Sequence, residues 1–593
     1  MPKKRKRTVE YAPVISAAAP PLHITALAGT TTVVLGFDLA VPVAPDLLGF
    51  AICRTDMATG RAEWLKNPLK FAHEPYTGYQ VAGTDARHAP FQQFHWIDEG
   101  VQPDHVYRYT VATVVGTPAQ PTLGATCDLD LRTAAVAADG LGLIFNRGIT
   151  ATPAYRTQFD NRAIAAQPPA LRAPAAAYLS RGLRESLLSF LGATAAGDRL
   201  DIAIYEFQDA EVVTALHAAL DRGVVVRVVA HARADHAGQA NAPFLKQLAQ
   251  HSTAELSIVR RTRVPALSHN KLVVHTVQGV PTRVWCGSTN FTEQGFFRQT
   301  NVGIVLDDPA LARAYAAYVE LLAADPPAEQ LRPAVHALVE ASPAGPRQVF
   351  FAPSDHDAML DAAVAAIASA RDVVLISCPF GLDARLAAAL DALDPRVLVY
   401  GVLNTNQAGD LAVINRDSRQ HSLFVLPAWI EQLNGASYDA STGRGNQIHV
   451  KSLVVDPWGS DPTVLIGSAN FSDESVFQND ENALLLRGDR RAAAIVATEF
   501  LRVFAHYRFR DRLKLLAQPY DTKPLPGQGS FLAEDDTSAP VWLVPPDEVG
   551  ADGARVLGVK IDELWLDERG SWYAPYFDPA HPRCRERAAF VAG

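Results

Sequence analysis

One polar pattern occurs twice in this chain, each time where a buried hydrophobic strand should run on. The first copy reads His269-Asn270-Lys271, then Leu272-Val273-Val274, then Gly287-Ser288-Thr289-Asn290-Phe291. The second reads His449-Val450-Lys451, then Leu453-Val454-Val455-Asp456, then Gly467-Ser468-Ala469-Asn470-Phe471. The His, Lys, Gly, Ser, Asn and Phe of the first copy recur 180 positions later. Placing an imidazole, an ammonium, a hydroxyl and an amide beside a sheet core carries a desolvation cost. Doing so twice in step makes sense if two duplicated halves face each other and pool these groups around one phosphate.

At 593 residues the chain is too long for one core, and three or four domains are expected. With 48% hydrophobic and 20% charged residues its composition is that of a globular protein. The net charge of −9 gives no overall positive field for nucleic acid, although a local basic groove can sit in an acidic protein. The five cysteines (Cys53, Cys127, Cys286, Cys378, Cys584) lack metal-ligand spacing. Unpaired core thiols in a reducing compartment are the expectation, with a Cys53–Cys127 pair as the alternative. No stretch approaches the roughly 18 apolar residues of a membrane span. The expected location is cytoplasmic, or exported by a route without a recognisable signal peptide. The cluster Lys3-Lys4-Arg5-Lys6-Arg7 is read as a solvated tail, with nuclear import or nucleic-acid binding as alternatives.

The fold class expected is multidomain: a β-sandwich, then two duplicated α/β domains forming a pseudo-twofold unit, then an irregular C-terminal extension. Residues 1–20 are assigned to a disordered basic tail and 21–134 to the sandwich. In 106–114, Tyr107, Tyr109 and Val111 alternate with Arg108 and Thr110, as in a half-buried strand. With the preceding turn at 98–103 this segment resembles a fibronectin type III sandwich. After a linker at 134–142, the strand at 200–205, helix at 209–220 and strand at 222–229 read as a βαβ unit with a parallel sheet. The second half restarts with strands at 372–377 and 397–400 around a helix at 384–393. The α/β domains are set at 140–330 and 345–511, separated by a Pro-rich stretch with a helix at 332–341. Residues 512–593 are expected to pack on the second α/β domain.

His-x-Lys-x4-Asp followed by Gly-Ser-x-Asn resembles the signature of the phospholipase D superfamily. The second copy matches with His449, Lys451, Asp456, Gly467, Ser468 and Asn470, and Glu481 follows downstream. The first keeps His269, Lys271, Gly287, Ser288 and Asn290, but has Thr276 in place of the aspartate and Asn301 where the second copy has Glu481. The resemblance implies two-step phosphodiester chemistry, in which one imidazole attacks phosphorus to give a phosphohistidine. The facing imidazole protonates the departing oxygen, then activates water. Lys271 and Lys451 set positive charge against the non-bridging oxygens, and Asn290 and Asn470 add hydrogen bonds. His-x-Lys spacing keeps imidazole and ammonium on one strand face. Glu481 is a candidate to fix the tautomer of its neighbouring histidine. With Asp456 and Glu481 in its own half, His449 is expected to be the more readily protonated, which suits it to proton transfer and leaves His269 as nucleophile. No metal or cofactor is implied.

His275 reads as an ordinary strand-end histidine. Arg260, Arg261 and Arg263, leading into His269, are candidates to grip an extended polyanion, with a solvated loop as the equal alternative. The partner expected is a phosphodiester, preferentially a phospholipid whose head group is cleaved. Single-stranded nucleic acid is the alternative, supported by the arginines and the basic tail. A non-catalytic module binding a phosphorylated ligand is the third reading. Both half-sites in one chain make a monomer sufficient for catalysis.

Overall fold

The computed structural model describes residues 9–71, 83–149, 152–160, 162–251, 253–342, 345–404, 422–425, 448–517, 532–533, 542–543, 566–568 and 570–591. The basic cluster at 3–7 and Trp565 lie outside them. Two compact units result. Among the described residues, one comprises 9–134 and those from 501 onward, the other those between 135 and 500.

The first unit is built on two four-stranded antiparallel sheets over a shared core. One runs Val14–Ala19, Leu22–Ala28, Val33–Leu39, His95–Asp98. The other runs Gln120–Arg132, Val106–Thr117, Leu47–Asp56, Ala62–Trp64. Along Val106–Thr117 the alternation is realised: Tyr107, Tyr109 and Val111 are buried, Arg108 and Thr110 partly exposed. Tyr107 Oη accepts a hydrogen bond from the backbone N–H of Gln102 at 3.0 Å.

Two boundary expectations are corrected here. Residues 14–19, assigned to a disordered tail, form an edge strand paired with Leu22–Ala28, because Ile15 and Ala17 pack on the sandwich core. The C-terminal extension, expected on the second α/β domain, contributes Leu566, Trp572 and Tyr576 to that same sandwich core. Trp572 stacks its edge on Phe50, 6.0 Å between centroids, and donates its indole N–H to Leu47 O at 2.9 Å. A large ring whose one polar atom finds a carbonyl is cheap to bury. None of the five cysteines forms a disulfide within the described residues.

The second unit contains both copies of the motif. The first sheet has the order Ala137–Ala138, Leu141–Phe145, Val302–Leu306, Val280–Gly287, Lys271–Val277, Arg199–Ile204, Val225–His231, Leu256–Arg261. The second runs Arg347–Ala352, Glu481–Arg487, Thr463–Gly467, Lys451–Val455, Val373–Ser377, Leu398–Val402, Ser422–Val425. Apart from the short strand Ala137–Ala138, the two orders correspond strand for strand.

Arg199–Ile204, Val225–His231 and Leu256–Arg261 are parallel, as the βαβ pattern requires, and Asp209 caps the intervening helix Ala210–Asp221. The remaining strands are antiparallel, so the sheet is mixed rather than parallel. Its reversal is local: Gln278 and Gly279, at φ 48° and 79°, make a tight hairpin between the two strands of the first motif. Both motif strands are central and buried, as near-continuous apolar runs should be.

Two short parallel bridges join the halves. Ser268 pairs with Asp480 and Thr300 with Ile448. Asp480 N donates to Leu267 O at 2.9 Å, and His449 N donates to Thr300 O at 3.2 Å. Each bridge falls one residue before a motif histidine, and that register decides what each histidine meets.

Candidate active site

His269 and His449 stand at the N-terminal ends of the central strands Lys271–Val277 and Lys451–Val455. Their rings face across the junction between the halves with centroids 6.4 Å apart. Both are buried, and burial, reinforced by the two lysine ammoniums, pushes both imidazoles well below their ordinary range.

The partners are crossed. His269 Nδ1 is 2.7 Å from Glu481 Oε1, a residue of the other half. His449 Nδ1 is 2.8 Å from Asn301 Oδ1, again of the other half. Each acceptor is steadied by the serine of its own motif: Ser468 Oγ donates to Glu481 Oε2 at 2.7 Å, and Ser288 Oγ donates to Asn301 Oδ1 at 2.7 Å. With Nδ1 engaged, Nε2 is the nitrogen each ring has left for chemistry. The expectation that Glu481 serves His449, and makes it the more basic ring, is therefore overturned: the carboxylate belongs to His269 and the neutral amide to His449. Burial pushes the Glu481 carboxyl up to about 8 against the pull of Lys271.

Glycine makes this closeness possible. A Cβ on Gly287 would lie 2.3 Å from Val302 O, and one on Gly467 would lie 2.4 Å from Asn482 O. Without side chains there, the segments carrying Asn301 and Glu481 pass directly behind the motif.

Lys271 and Lys451 are buried, with their ammoniums 5.2 Å above the Tyr205 ring and 5.3 Å above the Phe380 ring. Burial lowers Lys271 to about 7 despite Glu481 and Glu206, and lowers Lys451 well below its ordinary value. Among the described residues Lys451 Nζ has no hydrogen-bond partner. A buried cation of this kind is costly unless an anion joins it. Asn290 Nδ2 donates to Glu206 Oε2 at 2.5 Å, bringing a second carboxylate into the site. Asn470, partly buried, occupies the matching place in the second motif.

Two candidates, Asp456 and Arg261, have other work. Asp456, at φ 49°, accepts from the backbone N–H groups of Arg371, Asp372 and Val373 at 2.8–2.9 Å and so caps the start of a neighbouring strand. It is structural rather than catalytic. In the first half Asp198 holds the corresponding turn, accepting from Ala195 N and His275 Nε2, each at 2.9 Å. That explains how Thr276 can replace the motif aspartate, and it gives His275 a structural role.

Arg261 is fully buried. It makes two bonds to Asp480, at 3.0 and 3.1 Å, and one to Asp325 at 2.9 Å. It grips the segment that carries Glu481, not a ligand, whereas Arg260 and Arg263 are exposed. Arg261→Met would strand Asp480, whose carboxyl burial already pushes up. The expected loss is about 3–5 kcal/mol of stability, read as a lower melting temperature; Arg260→Ala should leave it unchanged.

Sequence reasoning missed Glu206, the Tyr205 and Phe380 rings, and the function of Asn301. The repeat offered one signal, since Asn301 follows His269 by the same interval as Glu481 follows His449. Among the described residues no group of three or more His, Cys, Asp or Glu could hold a metal ion, and no helix is long and apolar enough to cross a membrane.

A family described as "Cardiolipin synthase, PLD-like domain" matches the chain twice, at residues 192–322 and 363–504. Each matched stretch contains one copy of the motif, so the chain carries two stretches similar to that phospholipase D-like domain. Among solved structures it is similar to the phosphatidylserine synthase of Haemophilus influenzae Rd KW20, at 13% identity over 55% of this chain and 84% of that one, TM-score 0.38. It is similar also to a polyphosphate kinase of Porphyromonas gingivalis, at 12% identity over 59% of this chain, TM-score 0.37; the match spans about half of that kinase, 51%. The phospholipase D family member Nuc of Salmonella typhimurium matches at 23% identity over 23% of this chain and 85% of its own, TM-score 0.21. No curated protein matches the chain.

Proposed function

We propose that this protein is a phosphodiesterase that works through a phosphohistidine on His269 and cleaves the head group of a phospholipid. The observation that carries the chemistry is the pair of facing imidazoles, 6.4 Å between centroids, with a buried lysine beside each. His269 Nε2 attacks phosphorus as the ester P–O bond breaks, and the leaving oxygen takes a proton from His449. Water then attacks phosphorus, giving its proton to His449, and the P–N bond breaks to restore His269. A carboxylate behind His269 stabilises the positive charge the ring acquires on phosphorylation. His449, held only by an amide, gives up its proton more readily. The division of roles expected from the sequence is kept, but for the opposite reason.

The lipid reading is supported by Phe380, an apolar ring 36% exposed and 6.0 Å from the His449 ring. The family description names a lipid enzyme as well. The sandwich is read as fibronectin type III-like: its sheet order and the Tyr107 bond to backbone five residues upstream fit that architecture.

The test offers the protein phosphatidylcholine vesicles, with and without a primary alcohol, and in parallel a single-stranded oligonucleotide, all with EDTA. Choline release that survives the chelator is the expected result, because lysine and asparagine supply the charge a metal would otherwise bring. Phosphatidyl transfer to the alcohol would make the enzyme a transferase. Shortened oligonucleotide with intact lipid would replace the lipid by nucleic acid.

A further inference from the structure

We propose that Glu206 is a charge filter, a carboxylate set beside Lys271, Lys451 and Asn290 that admits singly charged phosphodiesters and turns away doubly charged phosphate monoesters. The inference rests on the phosphodiesterase reading above and narrows its substrate class.

Glu206 follows the strand Arg199–Ile204 and is held in place by more than its side chain. Its carbonyl accepts from Phe291 N at 3.0 Å, and the next residue, Phe207, bridges to Phe291. The segment therefore runs alongside the Gly-Ser-Thr-Asn motif and fixes the carboxylate against Asn290 Nδ2 at 2.5 Å. Burial raises its proton affinity, and Lys271, His236 and Lys451 act on it in the opposite direction.

Charge matching gives the group its purpose. Glu481 is committed to His269, so the ammoniums of Lys271 and Lys451 would by themselves suit a dianion. One further carboxylate beside them lowers the positive charge the site offers, which suits a monoanionic diester better than a dianion. Like charges placed at this range in a poorly screened site repel strongly.

The fold itself needs no carboxylate here. The ring under the motif lysine is Tyr205 in the first half and Phe380 in the second. The residue after it is Glu206 in one and Gly381 in the other. Nor does the hydrogen bond with Asn290 require an acid, since a glutamine oxygen accepts equally well.

The test measures binding rather than turnover, on the 593-residue chain at pH 8. Calorimetry compares dimethyl phosphate, a monoanion, with ethyl phosphate, a dianion above its second pKa of about 6. The ratio of the two affinities is determined for wild type, Glu206→Gln and Glu206→Asp. The expected result is that Glu206→Gln shifts this ratio at least tenfold toward ethyl phosphate, while Glu206→Asp, which keeps the charge, shifts it much less. A ratio unchanged in Glu206→Gln overturns the filter and leaves the phosphodiesterase reading standing. A Glu206→Asp shift as large as that of Glu206→Gln assigns the effect to geometry and also overturns it. Failure of either phosphate to bind any of the three proteins overturns the parent reading, and the filter with it.

Discussion

His269→Ala is expected to abolish turnover, by about 10³–10⁶-fold, and to form no phosphoenzyme with any substrate. His449→Ala should fail differently. With an alkyl diester its first step slows by about 10²–10⁴-fold, because the departing alkoxide goes unprotonated. With a nitrophenyl diester, whose leaving group needs no proton, the first step proceeds and the second stalls for want of a base. Stopped-flow release of one equivalent of nitrophenol, together with acid-labile phosphate on a tryptic peptide containing His269, is the signature. Covalent phosphate on His449, in the wild type or in His269→Ala, would reverse the assignment. The prediction depends on the crossed hydrogen bonds: the carboxylate stands behind His269, at 2.7 Å, and only an amide behind His449, at 2.8 Å.

Glu481→Gln should be nearly as damaging as loss of a histidine, about 10²–10⁴-fold in kcat, although Glu481 has no reason to touch substrate. A glutamine fits the same space but can present its NH2 to the ring, fixing the wrong tautomer, and carries no charge to balance the phosphorylated imidazole. Asn301→Asp is the complementary experiment. It gives His449 a carboxylate partner and so stabilises its imidazolium. A general acid works while protonated and fails as pH rises through its pKa. The alkaline limb of the pH–rate profile should therefore move to higher pH in Asn301→Asp. In Glu481→Gln the limb set by His449 should stay where it is while the plateau falls. An unmoved limb in Asn301→Asp would mean that His449 is not the proton donor.

Much of this architecture was legible in the sequence because it is local. Alternation gave the strand with Tyr107 and Tyr109, the strand–helix–strand pattern gave the βαβ unit around the helix Ala210–Asp221, and the duplicated polar pattern gave two halves. What escaped was set by tertiary register. Nothing local says that Ser268 pairs with Asp480 or Thr300 with Ile448, yet those bridges send each acceptor to the opposite histidine. The same holds for Arg261, whose place among arginines near the motif suggested a ligand site. Only the fold reveals that it points inward to Asp480. Asp456 misled for a related reason, since the pattern marks a position without saying which way its side chain turns. Trp572 belongs to the sandwich because an amphipathic C-terminal segment can cover any nearby core, and composition does not choose among them.

The exchange of glutamate for asparagine has a consequence for regiochemistry. A site with true twofold symmetry would accept an unsymmetrical diester in either of two poses and cut either of its ester bonds. Here the two ends differ: one histidine has a carboxylate behind it and one an amide, one flank bears Glu206 and the other Phe380. Only one pose puts the scissile bond in line with His269 and its leaving oxygen beside His449. On the proposed mechanism the site therefore has a head and a tail, and a mixed diester is expected to yield one pair of products rather than two.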